Sequence, residues 1–394
     1  MSQTHSHFKV LFAGIMSLIL TLGIARFAYT PLLPIMQAQT ALGDATGGWL
    51  ATFNYMGYMC GALTAAMISN LQLKDTLYRI GLILALVTTA GMALSESLWL
   101  WSLMRFLAGL SSAAGLLIGS GLILNWLIRH NHRMELGIHF SGLGLGIVLS
   151  AVAVDLMETH LSWSQQWLVL TAIGMILLVP AWHWLPRPDA SPFTTSGVKM
   201  EDNPPARNWM ILLFASYFCA GFGYVISATF LVVIVEAEPA LHGYGEPAWL
   251  VVGLAAAPAC FIWDRIARKT GELKALAIAF ALQIVGIVLP TYDASLGVVM
   301  FSAALYGGTF IGIVSLMLTM IGKFYPTKPA KPMGKLTLSY GVAQIAAPAL
   351  AGTLAETSGT YNGSLYLAAL IMAVGLLIIL YLVSNENRAH QAAR

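Results

Sequence analysis

Apolar residues run along this chain in blocks long enough to span a bilayer, broken by short polar stretches. A helix needs about 20 such residues to cross the hydrocarbon core. The blocks give twelve candidate spans: 8–35, 49–71, 78–94, 98–128, 136–157, 166–185, 209–235, 247–263, 273–289, 296–321, 336–355 and 364–383. The longest hydrophilic stretch, 186–208, carries Pro186, Pro188, Pro192, Pro204 and Pro205 and reads as an exposed linker. It separates an N-terminal bundle, 1–185, from a C-terminal bundle, 209–394, with six spans each. The predicted class is an all-α membrane protein of twelve transmembrane helices in two six-helix, pseudo-symmetric bundles. Such a parallel repeat supports alternating access by rocking about a site at the interface of its halves.

Charge fixes an expected orientation. Of the 20 basic residues, all but Arg26 and Arg105 fall in loops that share one side if the N-terminus is cytoplasmic. Basic residues favour the cytoplasmic side of short loops, so both termini are expected inside. Moving the span count by one would scatter these residues over both sides. The eleven tryptophans all sit near expected span ends, where amphipathic rings favour the interface.

Composition agrees. Apolar residues make up 58% of the 394 residues and charged residues 9%, against about 25% in soluble domains; mean hydropathy is +0.76. The net charge of +3 gives no sign of nucleic-acid binding, because the basic residues are spread over short loops instead of one face. Cys60, Cys219 and Cys260 lie far apart in apolar runs and read as inert core thiols. No metal-type spacing occurs, and His130 and His132 read as a solvated loop. Lys9 precedes an apolar run with no small-residue cleavage pattern, so the first block reads as a retained helix rather than a signal peptide.

Chemistry concentrates on a few polar residues inside the spans. Arg26 lies nine residues before Ile35, about 13 Å below the outer end at 1.5 Å per residue. A guanidinium at that depth costs about 2.5–3.5 kcal/mol by insertion scales, so something must offset it. One reading makes Arg26 the anchor for a carboxylate, sulfonate or phosphate, with Tyr29 and Thr30 on its face. The other makes it a clamp on neighbouring helix ends. Arg105, at a similar depth, is open between a coupling network and a packing hub. Asn54 and Tyr58 complete a polar wall or simply sit on a helix that packs closely through Gly57 and Gly61. Asp155 is the foremost candidate for a titrating carboxylate, although it lies near the outer end of its span; Glu236 and Glu356 are similarly peripheral. In the second half Tyr224, Ser227, Tyr306, Thr309, Tyr340 and Gln344 suit the less polar part of a substrate or hydrogen-bond between helices. Gly142, Gly144, Gly146, Gly307, Gly308 and Gly312 allow close approach and bending, and Pro258 and Pro348 interrupt their spans.

Several segments resemble the major facilitator superfamily. Asp264-Arg265-Ile266-Ala267-Arg268-Lys269-Thr270-Gly271 is similar to its D-R-x-x-R-K/R-x-G loop signature, which implies a gating role for Asp264, Arg265 and Arg268. The equivalent first-half loop, Lys74-Asp75-Thr76-Leu77-Tyr78-Arg79, keeps an acid and bases but not the spacing, which speaks against a full charge relay there. Arg105-Phe106-Leu107-Ala108-Gly109 resembles the fourth-helix R-x-x-x-G motif, often linked to proton coupling. Gly23-Ile24-Ala25-Arg26-Phe27-Ala28-Tyr29-Thr30-Pro31-Leu32-Leu33-Pro34, together with Asn54-Tyr55-Met56-Gly57-Tyr58 and Gly308-Thr309-Phe310-Ile311-Gly312-Ile313, is similar to the YbfB/YjiJ-type branch.

The expected function is secondary active transport of a small organic solute, anionic in character, across the bacterial inner membrane, with coupling to protons. The substrate-contact set is Arg26, Tyr29, Asn54, Tyr58, Arg105, Tyr224, Tyr306 and Gln344; Asp155 and Arg105 carry the coupling. The expected partners are the solute, protons and lipid, with a monomeric chain and no cofactor, metal or nucleic acid. Efflux of drugs or metabolites is the alternative, and a membrane sensor on a transporter fold a remote one. An enzyme is not expected, since no nucleophile–base pair occurs in the spans.

Overall fold

The computed structural model describes residues 7–392 apart from 135, 190, 192, 237 and 359, and some side chains inside helices, Glu236, Pro348 and Glu356 among them, also lie outside the described set. The architecture is all-helical, as the apolar blocks require. The helices are α1 His7–Leu18, α2 Tyr29–Gln39, α3 Asp44–Met67, α4 Leu71–Ala93, α5 Leu98–Ala113, α6 Ser120–Arg129, α7 Gly137–Glu158, α8 Trp163–His183, α9 Arg207–Glu236, α10 Gly245–Thr270, α11 Glu272–Tyr292, α12 Leu296–Lys323, α13 Ala330–Ser358 and α14 Asn362–Ala392. Two π-helical segments, Ile19–Phe27 and Ala114–Gly119, join α1 towards α2 and α5 to α6.

Among the described residues, ten of the resulting rods are long and apolar enough to cross a membrane. The expected spans 49–71 and 336–355 correspond to α3 and α13, which have membrane length but fall outside that set. In α3 the cause is visible: glycines, threonines and Asn54 dilute its apolar content.

Helix starts run further into polar sequence than expected. The third span was predicted from residue 78, yet α4 begins at Leu71, where Asn70 Oδ1 accepts from Leu73 N at 3.0 Å. The cap and the Asp75–Arg79 pair, one turn apart, let a charged stretch stay helical. Likewise α10 continues past residue 263 through the charged loop signature to Thr270. Gly271, at φ +93°, ends it in a backbone region that favours glycine.

Residue contacts divide the chain into two units, Met1–Asn203 with Ile321–Lys335, and Pro204–Met320 with Leu336–Arg394. The first unit is built on close backbone contacts. A Cβ at Gly57 would fall 1.9 Å from Phe106 O, and one at Gly109 2.1 Å from Asn54 O, so α3 and α5 touch along their glycines. Gly23 meets Gly146 of α7 in the same way, at 2.5 Å. Around this seam lies an apolar cluster with Ile24, Leu32, Trp101, Trp163 and Trp167, and Trp101 meets Trp163 edge-on at 5.4 Å. The second unit brings α9, α10, α11 and α14 together, with Gly307 of α12 against Val252 O of α10 at 2.2 Å for an added Cβ. Cys219 and Cys260 are buried, whereas Cys60 lies on an exposed face of α3.

Candidate functional site

The π-helical segment at Ile19–Phe27 determines the geometry around both deep arginines. Its wide turn shows in Ala28 N bonding Gly23 O, five residues back, at 2.9 Å. Side chains of α5 supply further donors to its carbonyls. Ser112 Oγ donates to Thr21 O at 2.9 Å, and Arg105 Nη1 to Ala25 O at 3.1 Å. Both arginine terminal nitrogens also approach Arg26 O at 3.5 Å. Arg105 thus sits at the carbonyl end of a helical segment, where partial negative charge suits a cation. Tyr29 stacks on its guanidinium at 4.3 Å, while the tyrosine hydroxyl donates to Gly47 O at 2.9 Å. Arg105 Nε is buried and unpartnered.

Arg26 is buried beside it, and its guanidinium lies 4.9 Å from the Tyr58 ring centroid, 5.0 Å from Tyr55 and 5.5 Å from Phe27. Cation–π attraction offsets part of the burial cost. Asn54 is turned another way: its Nδ2 donates to Arg105 O at 3.0 Å across the α3–α5 seam. The first unit therefore brings Arg26, Tyr29, Tyr58, Arg105 and Asn54 into one neighbourhood. Tyr55 belongs to the same cage, and its signal was available: it stands next to Asn54 and three residues before Tyr58. Asp155 is not part of this group. It lies on the exposed side of α7, and no ion pair among the described residues joins it to either arginine.

The second unit holds an uncharged counterpart. Tyr306 stacks on Phe310 at 5.0 Å, Phe310 on Tyr224 at 5.1 Å, and Tyr224 approaches Tyr340 at 5.7 Å. The Tyr306 hydroxyl donates to Tyr224 O at 2.8 Å. Gln344 is buried nearby in sequence to Tyr340, with its Oε1 unpartnered. Thr309 Oγ1 bonds its own helix at Leu305 O, 2.7 Å. Within this unit a cavity of about 610 Å³, part of it open to solvent, is bordered by Ser227, Glu238, Ile287, Ser302, Tyr306 and Asn362 among others. Among the described residues no group of three or more His, Cys, Asp or Glu is placed to hold a metal.

Comparison with known proteins decides the family. The profile described as "Uncharacterised MFS-type transporter YbfB" matches residues 18–380. The chain belongs to this family. The YbfB-type chain is also 25% identical to the uncharacterized MFS-type transporter YceJ of Bacillus subtilis, over 89% of its length and 84% of that protein's. A shorter match, 28% identical over 32% of this chain and 26% of the other, is to the uncharacterized transporter mfc1 of Schizosaccharomyces pombe. Among solved structures, the human organic anion transporter MFSD10 (TETRAN) superposes with a TM-score of 0.74 at 16% identity, covering 95% of this chain and 99% of that one. The fold is that of a major facilitator transporter, and the chain is a multi-pass membrane protein.

Two loops of this YbfB-type transporter carry its charged clusters. In α10, Asp264 is buried and Arg265 lies 5.9 Å from the Phe261 ring, with Arg268 in the last turn of the helix. In the first unit the degenerate loop gathers a charge cluster of its own. Asp75, 1% exposed, accepts from Arg79 Nε at 3.1 Å and from Arg187 Nη1 at 2.7 Å. Arg79 also donates to Trp182 O and Leu185 O, the last carbonyls of α8 and just beyond. The missing base comes from the linker, 112 residues away, which local spacing cannot reveal.

The burial of two further polar residues was not visible in the sequence. His139 is fully buried, shares a hydrogen bond from Nε2 with Ser120 Oγ at 2.8 Å, and packs so closely on Gly14 that a Cβ there would fall 2.2 Å from Nδ1. Lys74 is buried as well. Both stand at span ends, where a titratable residue reads as solvated.

Proposed function

We propose that this transporter moves a small organic anion and that Arg26 is its anchor. The observation that carries the reading is the pairing of two buried guanidinium groups in one aromatic-walled neighbourhood of the first unit. Arg105 has a structural task in holding the π-helical carbonyls, and Arg26 lies beside it among the rings of Phe27, Tyr55 and Tyr58, which supports Arg26 as the group that meets a solute. Local positive charge and a planar fork of donors suit a carboxylate, sulfonate or phosphate. The aromatic and amide groups of the second unit, Tyr224, Tyr306 and Gln344, take the less polar part. The human structural neighbour is described as an organic anion transporter, which agrees with this polarity.

In this reading residues 1–185 and 209–394 work as two bundles in alternating access, in the inner membrane of a bacterium with both termini cytoplasmic. Entry of an anion against the membrane potential is driven by co-transported protons. Asp155 remains a candidate for the titrating group, and buried His139 joins it. A monomer suffices for the cycle. The efflux reading has one observation in its favour: the second unit's cavity is walled largely by apolar side chains.

The test is uptake into proteoliposomes of a panel of labelled carboxylates, sulfonates and phosphate esters against neutral isosteres, with and without an inward proton gradient. Accumulation of an anion that the gradient drives, abolished by Arg26→Ala, supports the reading. Gradient-driven extrusion of neutral or cationic amphiphiles, indifferent to Arg26, rejects it in favour of efflux. Unchanged pH dependence in Asp155→Asn and His139→Gln would remove those two from the coupling role.

A further inference from the structure

Lys74 poses a charge problem that the transport cycle does not use. It lies in the first turn of α4, its side chain is fully buried, and its Nζ meets no hydrogen-bond partner. Besides its burial, the charges that act on it are those of other cations, Lys331 and Lys328. Lys331 is half-buried and donates from Nζ to Ser69 Oγ at 2.9 Å, two residues before α4. Lys328 is exposed. The backbone adds positive character, because α4 starts at Leu71 and α13 at Ala330, and the Lys331–Ser69 hydrogen bond links the first turn of α13 to the residues just before α4.

The carboxylates in the vicinity are already committed. Asp75 is held by Arg79 and Arg187. Asp202 accepts from Thr327 N at 3.2 Å and Thr327 Oγ1 at 2.8 Å. A buried ammonium with three unused donors is a costly arrangement, and an anion is what ordinarily removes the cost.

The segment that carries Lys328 and Lys331 is tightly seated on the first unit. A Cβ at Gly334 would fall 2.7 Å from Ala66 N, and one at Gly121 2.4 Å from Ala330 Cβ. Asn125 Nδ2 donates to Pro326 O at 2.8 Å, and Asn203 N to Phe324 O at 2.8 Å. We propose that Lys74, Lys331 and the first turn of α13 form a binding site for a phosphate-type oxyanion, which pins the Ile321–Lys335 segment onto the first unit. A tetrahedral oxyanion accepts from several directions at once, which suits ammonium groups acting as point charges next to a helix N-terminus. Occupancy favours the seated segment, and release of the segment frees the anion, so the two equilibria are linked. The site is independent of which solute is transported.

The shared chemistry is met by free phosphate or by the headgroup of an anionic lipid, and two arms separate them. Purified full-length chain is unfolded thermally while sodium phosphate is raised against sodium chloride of matched ionic strength. In the second arm phosphatidylglycerol is raised against phosphatidylcholine in mixed micelles. An upward midpoint shift of about 2–4 °C near saturation in either arm is expected, lost in Lys74→Met and retained in Arg26→Ala. The chloride midpoint of Lys74→Met is expected to match or exceed that of the native chain, because an uncompensated buried charge has gone. If Lys74→Met does not fold, Lys331→Gln serves: the proposal requires about tenfold more phosphate or lipid for the same shift. A shift in neither arm, a shift that survives Lys74→Met or is unaltered in Lys331→Gln, or one lost in Arg26→Ala would overturn the site.

Discussion

The first unit buries a set of charged side chains beside its hydroxyls and amides, whereas the second buries mainly hydroxyls, rings and amides. Arg26, Arg105, Lys74, Asp75, Arg79 and His139 are all buried in the former. Among the described residues, the buried polar side chains of the latter include Gln283, Gln344, Thr309, Thr319, Thr337 and several serines, with Asp264 the acid near its charged loop. The difference teaches how a membrane interior tolerates cations. Each of the two deep arginines rests on aromatic faces, and Arg105 also has carbonyls exposed by an irregular helix. The second unit needs no such device, so its helices can be ordinary and its tyrosines can bond one another's backbone.

The comparison breaks most severely at the seam that places the arginines. Gly57→Leu puts a side chain where even a Cβ lies 1.9 Å from Phe106 O; overpacking of this sort costs about 1–3 kcal/mol or more. Loss of folded, detergent-stable protein is expected. Gly308→Ala of the second unit, with nothing within 4 Å of the added Cβ, is expected to leave yield and melting midpoint unaltered.

Arg105→Met comes next. Hydrogen bonds to charged groups are worth about 1.5–3 kcal/mol, and this variant loses those to the π-helical carbonyls. A lower melting midpoint with solute affinity reduced less than in Arg26→Ala is the expected split. Equal loss of affinity in both would make Arg105 a direct contact. Tyr306→Phe probes the second unit and removes one neutral hydrogen bond, worth about 0.5–1.5 kcal/mol. A midpoint drop of a few degrees, with transport retained, is expected.

The smallest effect concerns the loop after α6. His132 stacks on Trp126 at 5.5 Å and on His7 at 4.9 Å. Desolvation, then the neighbouring His7 and His130, hold it below the usual histidine range. The folded chain then binds fewer protons there than the unfolded chain between the depressed value and about 6.5. Stability is expected to rise with pH through that window and to be lost as pH falls through it. His132→Gln should flatten this part of a midpoint–pH profile slightly.

The sequence foretold the fold through its apolar blocks and basic loops because both are set by the solvent, which acts on every residue alike. Arg26 and Arg105 stood out for the same reason: charge in an apolar run is conspicuous. Their partners were less visible. That Arg105 turns to Ala25 O depends on a π-helical segment with no evident signature in Ile19–Phe27, and that Asn54 bonds Arg105 O depends on the α3–α5 contact. Arg187 joins Asp75 from a linker that composition marks only as exposed. Lys74 and His139 were hidden because titratable residues at span ends are ordinarily solvated, and only packing reveals that these are not.

The central claim is that Arg26 holds the charged end of the solute. Melting midpoints of the purified chain against carboxylates, sulfonates and phosphate esters, each paired with a neutral isostere, test it most directly. The account predicts stabilisation by at least one anion and not by its isostere, abolished in Arg26→Ala and partly kept in Arg26→Lys. Equal stabilisation of native chain and Arg26→Ala by the same anion would contradict it.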